Sequence, residues 1–126
     1  MGERANVCIE ETTGRGQLHQ LFLYSHWDGS WLAVALKNAL LRGRERWSDY
    51  SYLSRIIFCE MIREDVCGTK GYGISPFLCD NEYQILYVLP QSKQVRVGVG
   101  NDAVYFLFQD YVQLPDNDCC QLMEAV

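Results

Sequence analysis

Residues 24–31, with the sequence YSHWDGSW, concentrate the side chains best suited to chemistry. His26 and Asp28 are two positions apart, so an extended backbone would place them on one face. Such a pair would serve as two metal ligands, as a general-base pair, or as hydrogen-bonding groups for a ligand. A catalytic metal normally needs three protein ligands. Neither a second histidine motif nor a Gly-x-Ser-x-Gly nucleophile pattern accompanies the pair.

The same run also fits a purely structural role. Asp28 and Gly29 are typical turn residues, the His26 side chain would bond the backbone, and the tryptophans would pack. This structural interpretation is the simplest one. Ligand binding by Tyr24, His26, Trp27 and Asp28 is the leading functional alternative, ahead of catalysis, because a junction between a strand and a helix aims side chains from a rigid scaffold.

A second candidate site is the run RGRERWSD at residues 42–49, which carries three arginines directly before a predicted helix. A helix N-terminus has free N–H groups and the positive end of the helix dipole, and both attract anions. The forked guanidinium groups of Arg44 and Arg46 suit phosphate or carboxylate. Trp47 and Tyr52 offer flat faces for a ring. The combination predicts a site for a phosphate-bearing small molecule such as a nucleotide.

The alternative for this run is again structural. Asp49 or its neighbour Ser48 would cap the helix, and Asp49 would then occupy the ground that an anion needs. Glu45 would pair with a neighbouring arginine on the surface, where such pairs contribute little.

A third segment, Gly71-Tyr72-Gly73, precedes a predicted strand. It matches neither the phosphate-binding loop, which ends in Gly-Lys-Ser/Thr, nor the dinucleotide fingerprint, which opens a helix. Glycines here favour a turn into the strand, and a close backbone approach to a ligand is the functional alternative.

Hydrophobic periodicity predicts the elements that must position these residues. The order ββααββββ places strands beside strands, so we predict a single α+β domain at residues 1–115, with a mainly antiparallel sheet packed with two α-helices. An acidic tail follows at 116–126, and residues 109–114 fit either a strand or a helical turn. The predicted strands are 6–11, 18–25, 73–77, 83–89, 94–99 and 103–108, and the predicted helices are 31–42, with Ser30 as its N-cap, and 48–63.

Apolar residues cover well over half the circumference of the second predicted helix. Such a helix is either sandwiched between two layers or buried again at a subunit contact, which predicts a homo-oligomer. Arg55 lies on this largely apolar helix, so we expect it to be partly buried and paired, for example with Asp28 or Asp80.

The composition argues against several common functions. A chain of 126 residues with a net charge of −5 has the size of one domain and lacks the basic surplus of a general nucleic-acid binder. With no apolar run of about 18 residues and no signal-peptide core at the start, we expect a cytoplasmic protein without a membrane partner. The six cysteines show no C-x-x-C spacing. We therefore expect reduced thiols and no metal or other cofactor, with Cys8, Cys59 and Cys79 as small buried residues.

Four strings occur in order along the chain: YSHWDG at 24–29, RWSDYSYLSRIIF at 46–58, GYGIS at 71–75 and DNEY at 80–83. Together they resemble a group of small phage and prophage proteins without an established activity. The resemblance covers roughly residues 18–97 and implies a viral or prophage origin with expression in the cytosol of a bacterial host. Some small phage proteins of similar size are sponges that sequester nucleotide signals of host immunity, which is an analogy of context.

Three functions stay open at this point. The first is a non-enzymatic phage protein that sequesters an anionic small molecule, such as a nucleotide immune signal, in a homo-oligomer. The second is a protein–protein antagonist of a host factor, and the third is a small hydrolase using His26 and Asp28. The ligand-binding residues predicted for the first function are Tyr24, His26, Trp27, Asp28, Arg44, Arg46, Trp47, Tyr52 and Arg55.

Overall fold

A computed structural model describes residues 2–124, which form one six-stranded sheet and four α-helices. Met1, Ala125 and Val126, which belong to the predicted domain and tail, lie outside the described residues. Short 3₁₀ turns occupy Gly29–Trp31, Arg44–Arg46 and Gly100–Asp102. The strands are β1 (Ala5–Thr12), β2 (Leu18–Ser25), β3 (Tyr72–Ser75), β4 (Leu86–Leu89), β5 (Gln94–Val97) and β6 (Val104–Leu107), and the helices are α1 (Leu32–Arg42), α2 (Tyr50–Met61), α3 (Phe108–Tyr111) and α4 (Asp116–Leu122).

The sheet has the strand order β3-β2-β1-β4-β5-β6. Only the central pair, β1 and β4, runs parallel, and the other four neighbouring pairs are antiparallel. The predicted α+β class with a mainly antiparallel sheet is therefore confirmed. The two predicted helices and the order ββααββββ fit roughly, but the helix count differs, because two short helices follow β6.

The register defines two ends of the sheet. Ser25 pairs with Ala5, and the parallel register places Leu86 close to them. We call this the upper end. β1 finishes at Thr12 and β6 at Leu107, at the opposite, lower end. The eight residues of β1 separate the two ends by about 23 Å at the usual rise per strand residue.

The strands alternate their side chains between the two faces of the sheet. All four helices pack on one of these faces. Val7, Ile9 and Leu23 point from the sheet into the main core. Each helix contributes buried side chains to the same core, including Leu36 from α1 and Ile57 from α2. The tertiary core thus confirms the period-two pattern of the first hairpin and the three-and-four spacing of α1.

Within residues 2–124, no helix packs on the opposite face of the sheet. Cys8, Phe22 and Tyr87 form a small buried cluster there. The guanidinium of Arg96 lies 4.0 Å from the centroid of the Tyr87 ring and 3.5 Å from the carboxylate of Glu10. Arg96 therefore covers part of the apolar cluster with its own side chain, as long cationic residues commonly do. Burial raises the pKa of the Cys8 thiol to about 12, so this cysteine is an apolar residue in practice.

The two long helices differ in how their N-termini are capped. Ser30, the predicted N-cap of α1, lies instead inside a 3₁₀ turn, and no side chain caps α1. The Asp49 side chain caps α2, because its Oδ1 accepts a hydrogen bond of 3.0 Å from the Tyr52 N–H. Asp49 therefore caps the helix, as its structural interpretation predicts.

The broad apolar surface of α2 is largely covered within the chain. Leu53, Ile57 and Met61 are buried, and Ile56 and Phe58 pack at the margin of the same core. The exposed positions of α2 are mostly polar, with Tyr52 the only large apolar side chain exposed on it. Sandwiching between α1 and β1 thus accounts for the pattern, and α2 itself gives no reason to expect a subunit contact.

The C-terminal segment differs most from expectation. Residues 109–114 belong mostly to α3 and the turn after it, and α4 occupies most of the predicted acidic tail. Cys119 and Met123 are fully buried in the main core, so the described part of this segment, up to residue 124, packs against the rest of the domain. Among the cysteines expected to be buried, Cys8 is buried, whereas Cys59 is exposed and Cys79 is only partly covered.

Candidate functional site

His26 lies at the upper end of the sheet, directly after β2. Its backbone N–H donates to the Gly71 carbonyl at 2.7 Å, and its carbonyl accepts from the Glu3 N–H at 2.8 Å. Its ring nitrogen Nδ1 lies 2.9 Å from the Tyr24 hydroxyl, and its ring packs edge-on against Trp27. The histidine is therefore anchored from three sides by the fold.

Asp28 does not pair with His26. Its Oδ2 accepts a hydrogen bond of 2.8 Å from the Ser25 hydroxyl, and its own N–H donates back to Ser25 Oγ at 3.1 Å. Burial raises the pKa of the Asp28 carboxyl, and the bond from Ser25 opposes that shift. This closed loop holds the turn into α1, so a His26–Asp28 acid–base pair does not form in this structure.

Gly71 makes room for Trp27. The residue has a φ of +92°, and a Cβ built there would lie 1.9 Å from the indole Nε1 of Trp27. The glycine is thus needed for both its left-handed backbone and its lack of a side chain. Gly71 therefore forms the turn that precedes β3, as one of the two predictions for this segment has it, and it leaves space for the Trp27 side chain.

Acidic groups dominate the surroundings of this end. Arg4 lies between Glu82, at 3.2 Å, and Asp80, at 3.4 Å. Hydrogen bonds from the backbone and side chain of Arg4 lower the pKa of Glu82. The Glu3 carboxylate accepts a bond of 2.7 Å from the Tyr83 hydroxyl. These polar groups satisfy one another, and the carboxylates outnumber the cation, so the arrangement does not suit an anion.

The arginines before α2 lie at the lower end. Arg42 forms a salt bridge within the fold. Its guanidinium lies 2.9 Å from the Glu60 carboxylate, which also binds Arg63 at 3.0 Å. Arg46 lies 3.8 Å from the Asp49 cap and 4.3 Å from the centroid of the Tyr52 ring. Asp49 therefore occupies the helix N-terminus and partly neutralises Arg46.

Arg44 remains without a carboxylate partner within 4.0 Å among residues 2–124. Its guanidinium lies 5.3 Å from the centroid of Trp47. Trp47 is fixed by a bond of 2.8 Å from its Nε1 to the Leu40 carbonyl and by an edge contact with Phe108. A cation is thus held over a rigid aromatic face.

An open cavity of about 180 Å³ lies beside this tryptophan. We call it the Trp47 cavity. Lys93 borders it with a φ of +55°, which is unusual for a residue other than glycine, and it too has no carboxylate partner in the described chain. Its lining residues are Trp47, Ser92, Lys93, Leu107, Phe108 and Gln109.

The predicted binding residues therefore divide into two groups. Tyr24, His26, Trp27 and Asp28 lie at the upper end, whereas Arg44, Arg46 and Trp47 lie at the lower end with Tyr52 nearby. The length of the sheet separates the groups, so one small ligand cannot touch both. Arg55 belongs to neither, because it is exposed on α2 and forms no salt bridge with Asp28 or Asp80.

Two further cavity residues escaped the sequence analysis. Lys93 lies between two predicted strands, and Phe108 ends a predicted strand, so neither carried a signal for binding. A lysine in the left-handed conformation is a clue that appears only in three dimensions. Their approach to Trp47 depends on the packing of α3 against β5 and on the path of the chain between α1 and α2.

Comparisons with protein-family models, curated proteins and solved structures give no match to this chain. Function is therefore inferred from its own residues. Within residues 2–124, no group of three or more histidine, cysteine, aspartate or glutamate side chains could hold a metal ion. No helix in the same range has both the length and the apolar character needed to span a membrane.

Proposed function

We propose that this protein is a non-enzymatic binder of a small anionic molecule with a planar ring, of the nucleotide class, at the Trp47 cavity. The observation that carries the proposal is the pairing of a rigid aromatic wall with two cations that have no described carboxylate partner, Arg44 and Lys93. At the upper end, by contrast, Arg4 is bonded to Glu82 and Asp80, and Asp28 is bonded to Ser25.

The size of the Trp47 cavity limits what it can hold. Cavities for drug-sized ligands are about 300–1,000 Å³, whereas this one is about 180 Å³. A single ring fits inside, and the charged part of the ligand stays at the mouth. Arginine and lysine both bind phosphate, and arginine also stacks on flat rings. A nucleotide meets these requirements, with its base near Trp47 and its phosphates near Arg44 and Lys93.

The same geometry supports capture of the ligand without its conversion. His26 and Asp28, the residues predicted for a hydrolase, are bonded to Tyr24 and Ser25 and lie at the far end of the sheet. Sequestration of a nucleotide immune signal, as by an anti-defence sponge of phage origin, is the biological role that we propose for such a binder.

Titration calorimetry tests the proposal with AMP, ADP, ADP-ribose and a cyclic dinucleotide as probes. We expect at least one probe to bind with a micromolar Kd, and we expect Arg44→Ala and Lys93→Gly each to weaken it by about tenfold. Glycine suits the positive φ of residue 93, so this variant removes the charge without straining the turn.

Lys70→Ala is the matched control, because Lys70 is an exposed cation near the upper end. It should leave the Kd unchanged. Binding of no probe at millimolar concentration would refute the proposal. If the wild type, Arg44→Ala and Lys93→Gly bound a probe equally well, the binding site would not be at the Trp47 cavity.

A protein–protein antagonist is the second candidate, favoured by one observation. Trp27 and Trp31 are 53% and 54% exposed, and large exposed aromatic side chains often mark contact sites on proteins. Capture of one host protein that is lost in Trp27→Ala and Trp31→Ala, but kept in Arg44→Ala, would favour this function over small-molecule binding.

A further inference from the structure

The two edges of the sheet are built differently. β3, at one edge, contains Gly73 and is followed by Pro76. β6, at the other edge, reads Val-Tyr-Phe-Leu, with neither charge nor proline nor glycine. An outer strand presents unpaired backbone groups to other chains, and proteins usually protect such strands with charges, proline or bulges. β6 has none of these residues.

The register shows which backbone groups of β6 face outward. The Phe108 N–H donates to the Lys93 carbonyl at 2.7 Å, opposite β5. Hydrogen-bonded and non-bonded pairs alternate along an antiparallel ladder, so Phe106 and Val104 also bond β5. The N–H and C=O groups of Tyr105 and Leu107 therefore point away from the sheet.

From this pattern we propose that β6 pairs antiparallel with β6 of a second copy of this chain. A two-fold axis through Phe106 places Tyr105 of one copy opposite Leu107 of the other. Such a pair exchanges both of its backbone hydrogen bonds, and the symmetry repeats the exchange. The two sheets then continue as one. This proposal rests on the pattern of β6 and requires no bound nucleotide, although Leu107 also lines the Trp47 cavity.

Several features favour a second copy over another partner. The outward groups are spaced so that the strand complements itself, which is the condition for a two-fold interface. The chain has a net charge of −5, so two copies would generally repel each other. β6 itself carries no charged side chain, so this repulsion is weaker where two β6 strands meet. Tyr105 and Leu107 are 55% and 44% exposed, and directly opposite residues share one face of a sheet. Each would therefore cover the other across the axis.

The short length of the strand sets the expected strength. Stable specific interfaces bury about 1,200–2,000 Å² in total, and a ladder of this length buries less. We therefore expect a dimer with a Kd in the micromolar range. Sedimentation velocity from about 1 µM to about 200 µM should show a shift from 14.5 kDa towards twice that mass.

Leu107→Pro is the decisive variant. Residue 107 has a φ of −62°, which matches the angle that proline requires, and the extended backbone before it tolerates a following proline. Since its N–H faces outward, proline removes a bond to the partner and none to β5. We expect this variant to raise the dimer Kd by more than tenfold, with an unchanged circular dichroism spectrum.

Tyr105→Lys provides a second route, because a lysine on an outer strand opposes pairing by charge. Leu18→Lys is the control, as Leu18 is equally exposed at 54% but lies on β2, four strands away from β6 in the sheet. A monomer at every concentration overturns the proposal. A dimer that survives both β6 variants also overturns it, since the contact must then lie elsewhere.

Discussion

The upper and lower ends of the sheet look alike in sequence and differ in structure. Both combine tryptophan with charged and polar residues, next to the start of a helix. At the upper end, Asp28 is bonded to Ser25 and Arg4 to Glu82. At the lower end, Arg44 and Lys93 keep their charge free of any described carboxylate. The partners of a polar group, more than its type, therefore distinguish a structural network from a binding surface.

Replacing Trp47 and Trp27 by alanine should give the largest difference between the two ends, in both stability and nucleotide binding. Trp47→Ala removes a ring held by a hydrogen bond and by Phe108, so we expect the free energy of unfolding to fall by about 2–4 kcal/mol and nucleotide binding to disappear. Trp27→Ala removes a ring that is half exposed, and we expect a loss of about 1 kcal/mol or less with binding intact.

Urea denaturation and titration calorimetry measure the two quantities. The comparison breaks down if Trp27→Ala destabilises the protein more than Trp47→Ala does. It also breaks down if Trp27→Ala abolishes binding while the protein stays folded.

The second effect tests whether the upper end holds the fold. Ser25 is fully buried, and its hydroxyl is bonded to both the carboxylate and the N–H of Asp28. Ser25→Ala leaves these groups unsatisfied, which should lower the free energy of unfolding by about 1–3 kcal/mol. Ser48→Ala, at an exposed position beside the α2 cap, should change it by less than about 0.5 kcal/mol. Equal values in thermal or urea denaturation would contradict a structural role for Ser25.

Local patterns predict the elements of this fold better than its contacts. The alternation in β2 and the apolar stripe of α1 predict both elements closely, because each depends on neighbours in sequence. α4 could not be predicted, since its segment is acidic and only its packing buries Cys119 and Met123. In a short helix, tertiary contacts decide the conformation more than propensity does.

The candidate sites show the same limit. Sequence identified Arg44 and Trp47 from their types, and it identified His26 and Asp28 from their spacing. It could not show that Glu82, 78 positions along the chain, lies beside Arg4, or that Lys93 approaches Trp47. Such contacts between distant residues depend on strand order, which no local pattern specifies.

The third effect depends on pH and concerns the half-buried Asp28. Burial raises the pKa of its carboxyl above the ordinary value of 3.8, so the folded state binds this proton more tightly than the unfolded state does. Stability from this group is therefore present below pH 3.8 and is lost as the pH rises through the folded pKa. Asp28→Asn keeps an acceptor for Ser25 without the charge.

We expect Asp28→Asn to be more stable than the wild type at pH 7 and to lose that advantage towards pH 3. Urea denaturation at a series of pH values measures the difference. A variant that is less stable than the wild type at neutral pH would show that the charge itself holds the turn.

The smallest effect concerns the exposed pair of Arg4 and Glu82. Bonds from Arg4 lower the pKa of Glu82 below its ordinary value of 4.5, so the stabilisation is present above pH 4.5 and is lost as the pH falls through the folded pKa. Glu82→Gln should slightly destabilise the protein at pH 7, and the difference should shrink in acid. High salt should shrink it as well, because exposed charges are screened. Arg44→Ala, at the lower end, removes a cation with no described carboxylate partner and should produce neither dependence. If Arg44→Ala showed the same response to acid and salt as Glu82→Gln, the two ends would not differ in the way their charges are paired.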